Sequence, residues 1–415
     1  MMRIVVFEDK QVLRLYPMAI ARPAYAISCG SYRLVDWLRG LNCPLSGIVR
    51  PYLQAIQDND FPDFQPVVPT RDETVLFLNA RLVPSHSTYL LLLKLQQLNL
   101  PGVLRQDDRV VAAIRHVHAG TQLLWGDLDE FLNGPESESL ETLPVGGELE
   151  LFEYSHDIIA QNMSILAENL DYRVSEQTLT EVKDGLFVGV DVQLPEFYSC
   201  DTSDGPIILD DRASVGPFCF LSGPGYVGRG SRLIEHSAIK DAVSISHTVK
   251  IGGEVEASII EPYSNKQHYG FLGHSYLGSW INLGAGTCNS DLKNTYGKIN
   301  MEYPTGRVAT DMQFVGCMMG DYAKSAINTG IFTGKTIGVC SMLYGFVTTN
   351  VPSFVNYARL FGQVTELPPD VMVNTQQRMF ARRKIEQRPC DIQLLYDMYE
   401  LTRSERLAEG EQLSL

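Results

Sequence analysis

Hydrophobic residues follow one pattern in the first third of the chain and another from about residue 205. Between residues 1 and 130, short apolar runs predict strands at Ile4–Phe7 and Thr74–Leu78, and apolar residues at helical spacing predict helices at Tyr32–Leu41 and Ser87–Leu98. Strands that alternate with helices favour a parallel or mixed sheet, so we expect an α/β domain here. A further amphipathic helix is predicted at His156–Leu170.

From residue 205 onward, apolar residues recur at every sixth position. In a chain that is 45% hydrophobic, nine matches in one register arise by chance about once in a thousand trials. A period of six fits neither an α-helix nor a flat strand, but it fits a triangular solenoid in which three hexapeptides make one turn. The sequence therefore predicts a left-handed parallel β-helix, whose register runs through Leu209, Val215, Leu221, Val227, Leu233, Ile239, Ile245, Ile251 and Ala257.

The hexapeptide pattern is interrupted at Glu261–Tyr269 and again at Cys288–Thr310. Interruptions in a solenoid are typical of loops that leave one edge, and such loops often carry sites. The polar stretch Gly134–Ser139 predicts a surface loop. We divide the chain into an α/β domain (1–150), a linker helix (151–185), the β-helix (186–365) and a helical tail (366–415).

The tail is unusually basic in the segment Gln376–Arg388, which carries Arg378, Arg382, Arg383, Lys384 and Arg388. A solvated helix face or a contact between subunits is the preferred interpretation. Phosphate binding is the alternative.

Composition narrows the class of protein further. A net charge of −15 argues against broad nucleic-acid binding, although a local basic site for a small anion is compatible with it. The eight cysteines include no Cys-x-x-Cys pair, which argues against a zinc site and favours reduced thiols. The N-terminus lacks the pattern of a secretory signal, and no segment has the ~18 apolar residues of a membrane span. We expect a cytoplasmic protein that binds neither membrane nor nucleic acid.

The best candidate for chemistry is the segment Asn265–Thr287, in which histidines, a lysine and asparagines are concentrated. A histidine can take a proton from an attacking nucleophile near neutral pH. Two histidines qualify, His268 and His274.

This segment resembles the acetyltransferase domain of the bifunctional N-acetylglucosamine-1-phosphate uridyltransferase / glucosamine-1-phosphate N-acetyltransferase family. The family's pattern runs His-Leu-Thr-Tyr-Leu-Gly-Asp, then Asn-Ile-Gly-Ala-Gly-Thr, then Cys-Asn-Tyr-Asp-Gly. Anchored on the stretch Gly284–Thr287, the pattern places His268 on the catalytic base without a gap. His274 begins a similar motif, His-Ser-Tyr-Leu-Gly, in a shifted register and is the alternative base.

The resemblance implies direct acyl transfer from acetyl-CoA to the amine of a sugar phosphate, with glucosamine 1-phosphate as the acceptor. Phe271 replaces a tyrosine of the family and lacks its hydroxyl, which leaves the identity of the acceptor open. The other implied site residues are Lys266, Asn282, Asn289 and Lys293 for the substrate and the backbone near Ala285 for the oxyanion.

The first domain has a second, weaker resemblance, to sugar-1-phosphate nucleotidyltransferases. The stretch from Ala21 to Asp36 looks like their Lys-Pro-Ala…Gly…Tyr-Arg-Leu-Ile-Asp motif, with Arg22 in place of the lysine. Their glycine-rich phosphate loop is absent, and Asn79 falls near their metal-binding aspartate. An atypical enzyme would hold phosphates with Lys10, Arg14 and Arg22 and would require Mg²⁺. The alternative is a relic or regulatory domain without nucleotidyl transfer.

Three functions therefore stay open from the sequence. The first is a sugar-phosphate acetyltransferase that forms a homotrimer, as the resemblance implies, with or without nucleotidyl transfer. The second is a nucleotidyltransferase whose β-helix serves only to trimerise it. The third is a non-catalytic sugar-nucleotide sensor or scaffold.

Overall fold

The computed structural model describes residues 2–98, 100–106, 109–134 and 140–408. Most of the predicted surface loop at Gly134–Ser139 lies outside these residues. The chain divides into two compact units. The first comprises Met1–Leu15, Arg22–Ile27 and Tyr32–Glu153, and the second comprises Tyr16–Ala21, Ser28–Ser31 and Tyr154–Leu415.

The first unit is built on a mixed sheet, as the alternation of strands and helices predicted. The strand order across the sheet is Leu45–Ile48, Arg3–Phe7, Glu73–Asn79, Arg109–Val117, Gly102–Gln106. The first three strands are parallel to one another, and Arg109–Val117 is antiparallel to both of its neighbours, Glu73–Asn79 and Gly102–Gln106. The helices are α1 (Leu34–Gly40), α2 (Gln54–Asp60), α3 (His86–Gln97) and α4 (Leu128–Asn133), with 3₁₀ turns at Lys10–Leu15, Ala24–Ala26 and Pro51–Leu53. A short strand of this unit lies at Tyr32–Arg33, and the short strand Ser28–Cys29 belongs to the second unit.

The second unit contains the predicted β-helix, and the fold class is confirmed. The strands of its first face are Thr180–Lys183, Leu186–Val188, Ile207–Leu209, Gly225–Val227, Val243–Ile245, Ile259–Ile260, Tyr276–Leu277, Cys317–Met319 and Lys335–Ile337. Those of the second face are Ser214–Val215, Arg232–Leu233, Lys250–Ile251, Asn265–Lys266, Asn282–Leu283, Lys324–Ser325, Met342–Leu343, Val355–Ala358 and Gln363–Glu366. The remaining coil strands are Tyr198–Asp201, Cys219–Ser222, Ala238–Lys240, Glu254–Glu256, Phe271–Gly273, Cys288–Asn289, Gly330–Ile331 and Phe346–Val347.

The hexapeptide register predicts the core correctly as far as Ile251 and fails at its last member. Ile251 pairs with Lys266, fifteen residues later, whereas Leu233 pairs with Ile251 eighteen residues later. Because this coil is shorter, Val255 takes the core position and Ala257 lies at a corner with a φ of 43°.

The two predicted interruptions have different outcomes. The one at Glu261–Tyr269 is wrong, since this segment forms a regular coil that includes the strand Asn265–Lys266. The one at Cys288–Thr310 is confirmed, because an antiparallel hairpin of Asn300–Tyr303 and Gly306–Ala309 is inserted there.

Helices precede and follow the β-helix strands along the chain of the second unit. Helix α5 (Asp157–Glu176) packs Leu166 and Leu170 against Ile208 and Tyr226 of the first face, so the predicted linker helix is part of this unit. The tail forms α6 (Pro369–Arg382), α7 (Pro389–Leu401) and α8 (Arg403–Ala408), with a 3₁₀ turn at Arg359–Phe361 before them. None of the described helices combines the length and the apolar character needed to cross a membrane.

Candidate functional site

The predicted base and the predicted oxyanion site lie at the same corner of the β-helix, one coil apart. Asn265 pairs with Asn282, so His268, three residues further on, lies at the level of Ala285. The Gly286 N–H donates to the Tyr269 carbonyl at 3.1 Å, which confirms this register. In the next coil, the Asn328 N–H donates to the Ala285 carbonyl at 2.8 Å.

Close contact between coils explains why glycines occupy this corner. A Cβ on Gly252 would collide with the Gln267 carbonyl of the following coil, and a Cβ on Gly270 would collide with the Thr287 carbonyl. Gly270 also has a φ of 131°, which side chains disfavour. The glycines therefore let successive coils stack tightly where His268 is presented.

Both groups proposed to act at this corner are without partners in the described part of the chain. The His268 side chain is exposed, and its imidazole forms no hydrogen bond or ion pair there. The half-buried Ala285 N–H has no acceptor among the same residues. A proton acceptor and a backbone donor are thus both available to a bound molecule.

Lys266, predicted to bind the substrate, occupies a core position of the second face and is 2% exposed. Its Nζ donates to the carbonyls of Gly252 and Gly270, both at 2.6 Å, and to that of His268 at 3.3 Å. Burial lowers the pKa of Lys266 to about 8. The ammonium group thus ties together the backbone on both sides of His268.

His274, the alternative base, is buried and paired. Its Nδ1 lies 2.9 Å from Oδ2 of Asp291, and its ring stacks on Phe314 at a centroid distance of 5.1 Å. The Gly316 N–H donates to the His274 carbonyl at 2.8 Å. The sequence analysis did not predict this pairing. Its signal in the sequence is Asp291, the aspartate of the stretch Cys288–Asp291. The pair anchors the inserted segment to the β-helix.

The other predicted substrate residues differ in accessibility. Asn282 is exposed on the second face, and Phe271 is half-buried. The Asn289 amide is buried and bonds both to the Gly273 N–H at 2.9 Å and to the Gly273 carbonyl at 3.0 Å. The Lys293 Nζ donates to the Lys298 carbonyl at 2.6 Å. Asn282 is therefore the member of this set most available to a ligand.

In the first unit, two of the three residues proposed to hold nucleotide phosphates, Lys10 and Arg14, lie beside acidic side chains. The Lys10 Nζ is 3.6 Å from a carboxylate oxygen of Asp129, and the Arg14 guanidinium is 3.3 Å from Glu153. The Arg22 carbonyl accepts a hydrogen bond from the Arg50 guanidinium at 3.1 Å.

The loop that would replace the glycine-rich phosphate loop is fixed by buried ion pairs. Glu8, 1% exposed, accepts hydrogen bonds from the Arg50 side chain at 2.9 and 3.0 Å and from the Ala24 N–H at 2.9 Å. Asp9 pairs with the fully buried Arg81 at 2.7 Å.

These residues do not fit an Mg²⁺ site. The Asn79 Nδ2 donates to Asp9 at 2.9 Å, and the Asn79 Oδ1 accepts from the Arg81 N–H at 3.0 Å. The oxygens that Mg²⁺ would need are thus engaged with cationic or amide donors.

A different group in the first unit has the spacing of metal ligands. Asp72, His116 and His118 place one ligand atom each within 4.8 Å of one another. The His118 Nδ1 is 3.2 Å from Asp72, whose other oxygen accepts from the Ala119 N–H at 2.8 Å. All three side chains are exposed.

Comparison with known proteins finds one family model and several relatives that match part of the chain. Residues 4–178 match the family model described as sugar nucleotidyl transferase. A bifunctional sugar-1-phosphate nucleotidylyltransferase/acetyltransferase of Sulfurisphaera tokodaii is 26% identical over 148 residues, covering 35% of this chain and 37% of the relative. The bifunctional protein GlmU of Ralstonia pickettii is 33% identical over 92 residues, covering 21% of this chain and 20% of the relative.

Among solved structures, LpxA from Acinetobacter baumannii aligns with 55% of this chain and 98% of its own at a TM-score of 0.28 and 13% identity. The matches to the curated relatives span between a fifth and two fifths of those proteins' lengths. Over these regions the chain is related to bifunctional nucleotidyltransferase/acetyltransferase proteins, which confirms the resemblance seen in its motifs.

Proposed function

We propose that the β-helix transfers an acetyl group from acetyl-CoA to the amine of a sugar phosphate, with glucosamine 1-phosphate as the acceptor. The observation that carries this proposal is the corner at which the His268 imidazole and the Ala285 N–H, neither with a partner among the described residues, lie one coil apart. The names of the relatives that match parts of the chain support acetyl transfer as the reaction class.

In the proposed reaction, the His268 imidazole takes a proton from the amine as the amine nitrogen attacks the thioester carbonyl. The Ala285 N–H stabilises the oxyanion that develops on the carbonyl oxygen. The C–S bond then breaks, and the thiolate of coenzyme A leaves with a proton. Asn282 lies on the adjacent strand and contacts the acceptor.

Thiol release from acetyl-CoA in the presence of glucosamine 1-phosphate tests the proposal. We expect acceptor-dependent release that His268→Ala reduces by about 10²–10⁴-fold, the range for loss of a general base. His274→Ala is the matched comparison, and loss of release in that variant alone, with the fold intact, would move the base to His274. No release with a panel of amino-sugar phosphates would refute acetyl transfer.

The competing functions give different results in the same preparation. A nucleotidyltransferase would release pyrophosphate from a nucleoside triphosphate and a sugar 1-phosphate with Mg²⁺, and His268→Ala would leave that release intact. A sensor or scaffold would bind a sugar nucleotide without turnover. The ion pairs around Asp9 and Asn79 weigh against nucleotidyl transfer in the first unit.

We also propose that the chain forms a homotrimer, in which a neighbouring subunit approaches the exposed His268 corner. Sedimentation equilibrium measures this directly. A mass of one chain at the concentrations used for the activity assay would exclude it.

A further inference from the structure

Basic side chains form a ladder on the second face of the β-helix. In the register of neighbouring parallel strands, Arg232 lies next to Lys250, Lys250 next to Asn265, and Asn265 next to Asn282. Neighbouring strands lie about 4.8 Å apart, so these side chains line up along the face. The residues that follow Arg232 and Lys250 in their strands belong to the core, which directs these two basic side chains outward.

The end of helix α6 adds two more cations to this ladder. The Phe380 ring lies 4.5 Å from Trp280 and fixes the helix end against the β-helix. The Arg383 guanidinium then donates to the Asn265 side-chain oxygen at 2.8 Å, and Arg382 precedes it. The basic segment of the tail therefore lies next to a second, independent set of cations, Arg232 and Lys250 of the second face.

Within the described ranges, these cations have no acidic side chain in a salt bridge with them, although the net charge of the chain is −15. Among the described residues, neither Arg232, Lys250, Arg382 nor Arg383 forms a salt bridge. Burial, followed by the charges of Arg383, Arg232 and Arg382, lowers the pKa of Lys250. Burial and the neighbouring Arg382 likewise lower the pKa of Arg383. Like charges held together in this way favour the binding of an anion.

We propose that Arg232, Lys250 and Arg383 form a binding site for a diphosphate group. Guanidinium groups match phosphate oxygens in pairs, and a lysine adds a point charge, so three cations suit a ligand with two or more negative charges. The site leads through Asn265 and Asn282 toward the corner that presents His268.

The ligand class rests on the proposed function. Acetyl-CoA carries a diphosphate and a 3′-phosphate, and a nucleotide sugar carries a diphosphate alone. Both offer the same chemistry to this ladder, so the probes must separate them.

Calorimetric titration of the full-length protein with inorganic pyrophosphate tests the site without requiring turnover. We expect Lys250→Gln and Arg383→Gln each to weaken pyrophosphate binding about tenfold, as for one lost charge-assisted hydrogen bond. Arg229→Gln and Arg378→Gln are the charge-matched controls, on the neighbouring corner and one turn earlier in α6, and should change binding less than twofold. Far-ultraviolet circular dichroism confirms that each variant is folded.

Parallel titrations identify the source of the phosphate. Tighter binding of coenzyme A than of dephospho-coenzyme A, with both weakened by Lys250→Gln, assigns the site to the acyl donor. Weakened binding of UDP-N-acetylglucosamine in that variant, with coenzyme A unaffected, assigns it to a nucleotide sugar.

The proposal and the proposed function fail in different ways. Absence of pyrophosphate binding, or an equal loss in the control variants, overturns the diphosphate site even if acetyl transfer is measured. Absence of acetyl transfer with pyrophosphate binding lost in Lys250→Gln retains the site and overturns the acetyltransferase.

Discussion

Replacing Lys266 with methionine distinguishes its predicted role as a substrate ligand from the structural role that its hydrogen bonds to backbone carbonyls indicate. The Lys266 ammonium donates to three backbone carbonyls around His268. The Gly270 carbonyl also accepts from the Glu254 N–H at 3.2 Å, so Lys266→Met leaves the Gly252 and His268 carbonyls without a donor among the described residues. An unsatisfied buried acceptor costs about 1–3 kcal/mol, and this cost applies to the buried Gly252 carbonyl, whereas water can reach the carbonyl of the exposed His268.

Relief of the buried charge offsets part of this cost. Burial lowers the pKa of Lys266 from 10.5 to about 8, which corresponds to a penalty of about 3 kcal/mol on the charged form. The folded state thus binds fewer protons than the unfolded state between these pH values, and the stability contributed by Lys266 rises with pH across that window. We expect Lys266→Met to change the free energy of unfolding little at pH 7 and to lower it by up to about 3 kcal/mol near pH 10.5.

Urea unfolding of the wild type and the variant at several pH values measures this difference. Lys183→Met, which removes an exposed lysine of the same unit, is the control and should show no such pH dependence. Unchanged stability of Lys266→Met at high pH, together with a raised KM for the acceptor, would refute the structural role and restore the predicted contact with the sugar phosphate.

Three further predictions concern packing and charge elsewhere. Gly252→Ala should lower the free energy of unfolding by more than about 2 kcal/mol because its methyl group meets the backbone of the next coil, whereas Gly297→Ala should be nearly neutral in the same denaturant titration. Arg50→Met should lower the free energy of unfolding by about 3–5 kcal/mol because it leaves the Glu8 carboxylate buried and unpaired. Adding Glu8→Gln should recover part of this loss, and additive losses in the double-mutant cycle would contradict the pairing. Burial lowers the pKa of Lys324 to about 8, so the difference in stability between wild type and Lys324→Met should increase from pH 8 to pH 10.5; a flat difference would contradict it.

The sequence predicted the β-helix because its core positions are apolar at a fixed period, and apolar residues are what the narrow interior accepts. The prediction failed where that rule has an exception. Lys266 takes a core position by directing its ammonium group to backbone carbonyls. The polar residues of Glu261–Tyr269 were therefore wrongly interpreted as a loop. A pattern of residue types cannot show that a buried charge is satisfied by the main chain.

The α/β unit shows a complementary limit. Absence of the glycine-rich loop was visible in the sequence, but what replaces it was not. The partners Glu8 and Arg50 are forty-two positions apart, and Asp9 and Arg81 are seventy-two apart. Such contacts depend on the strand order of the sheet, which single-sequence patterns do not determine.

The two candidate histidines show what the coil geometry adds. The residue one coil further on lies seventeen positions later in both cases, Ala285 for His268 and Asp291 for His274. Once this coil length is known, the sequence spacing fits both histidines. The register of the motif alone therefore does not show which of the two is the general base. The structure separates them by environment. His274 is buried against a carboxylate and holds an inserted segment, whereas His268 is exposed beside the Ala285 N–H, which has no acceptor in the part of the chain that the structure describes. A general base must reach its substrate, which suits the exposed His268, whereas a structural histidine gains most from a buried partner, as His274 has. The same spacing of seventeen residues is therefore consistent with a catalytic role at one position and a structural role at the other.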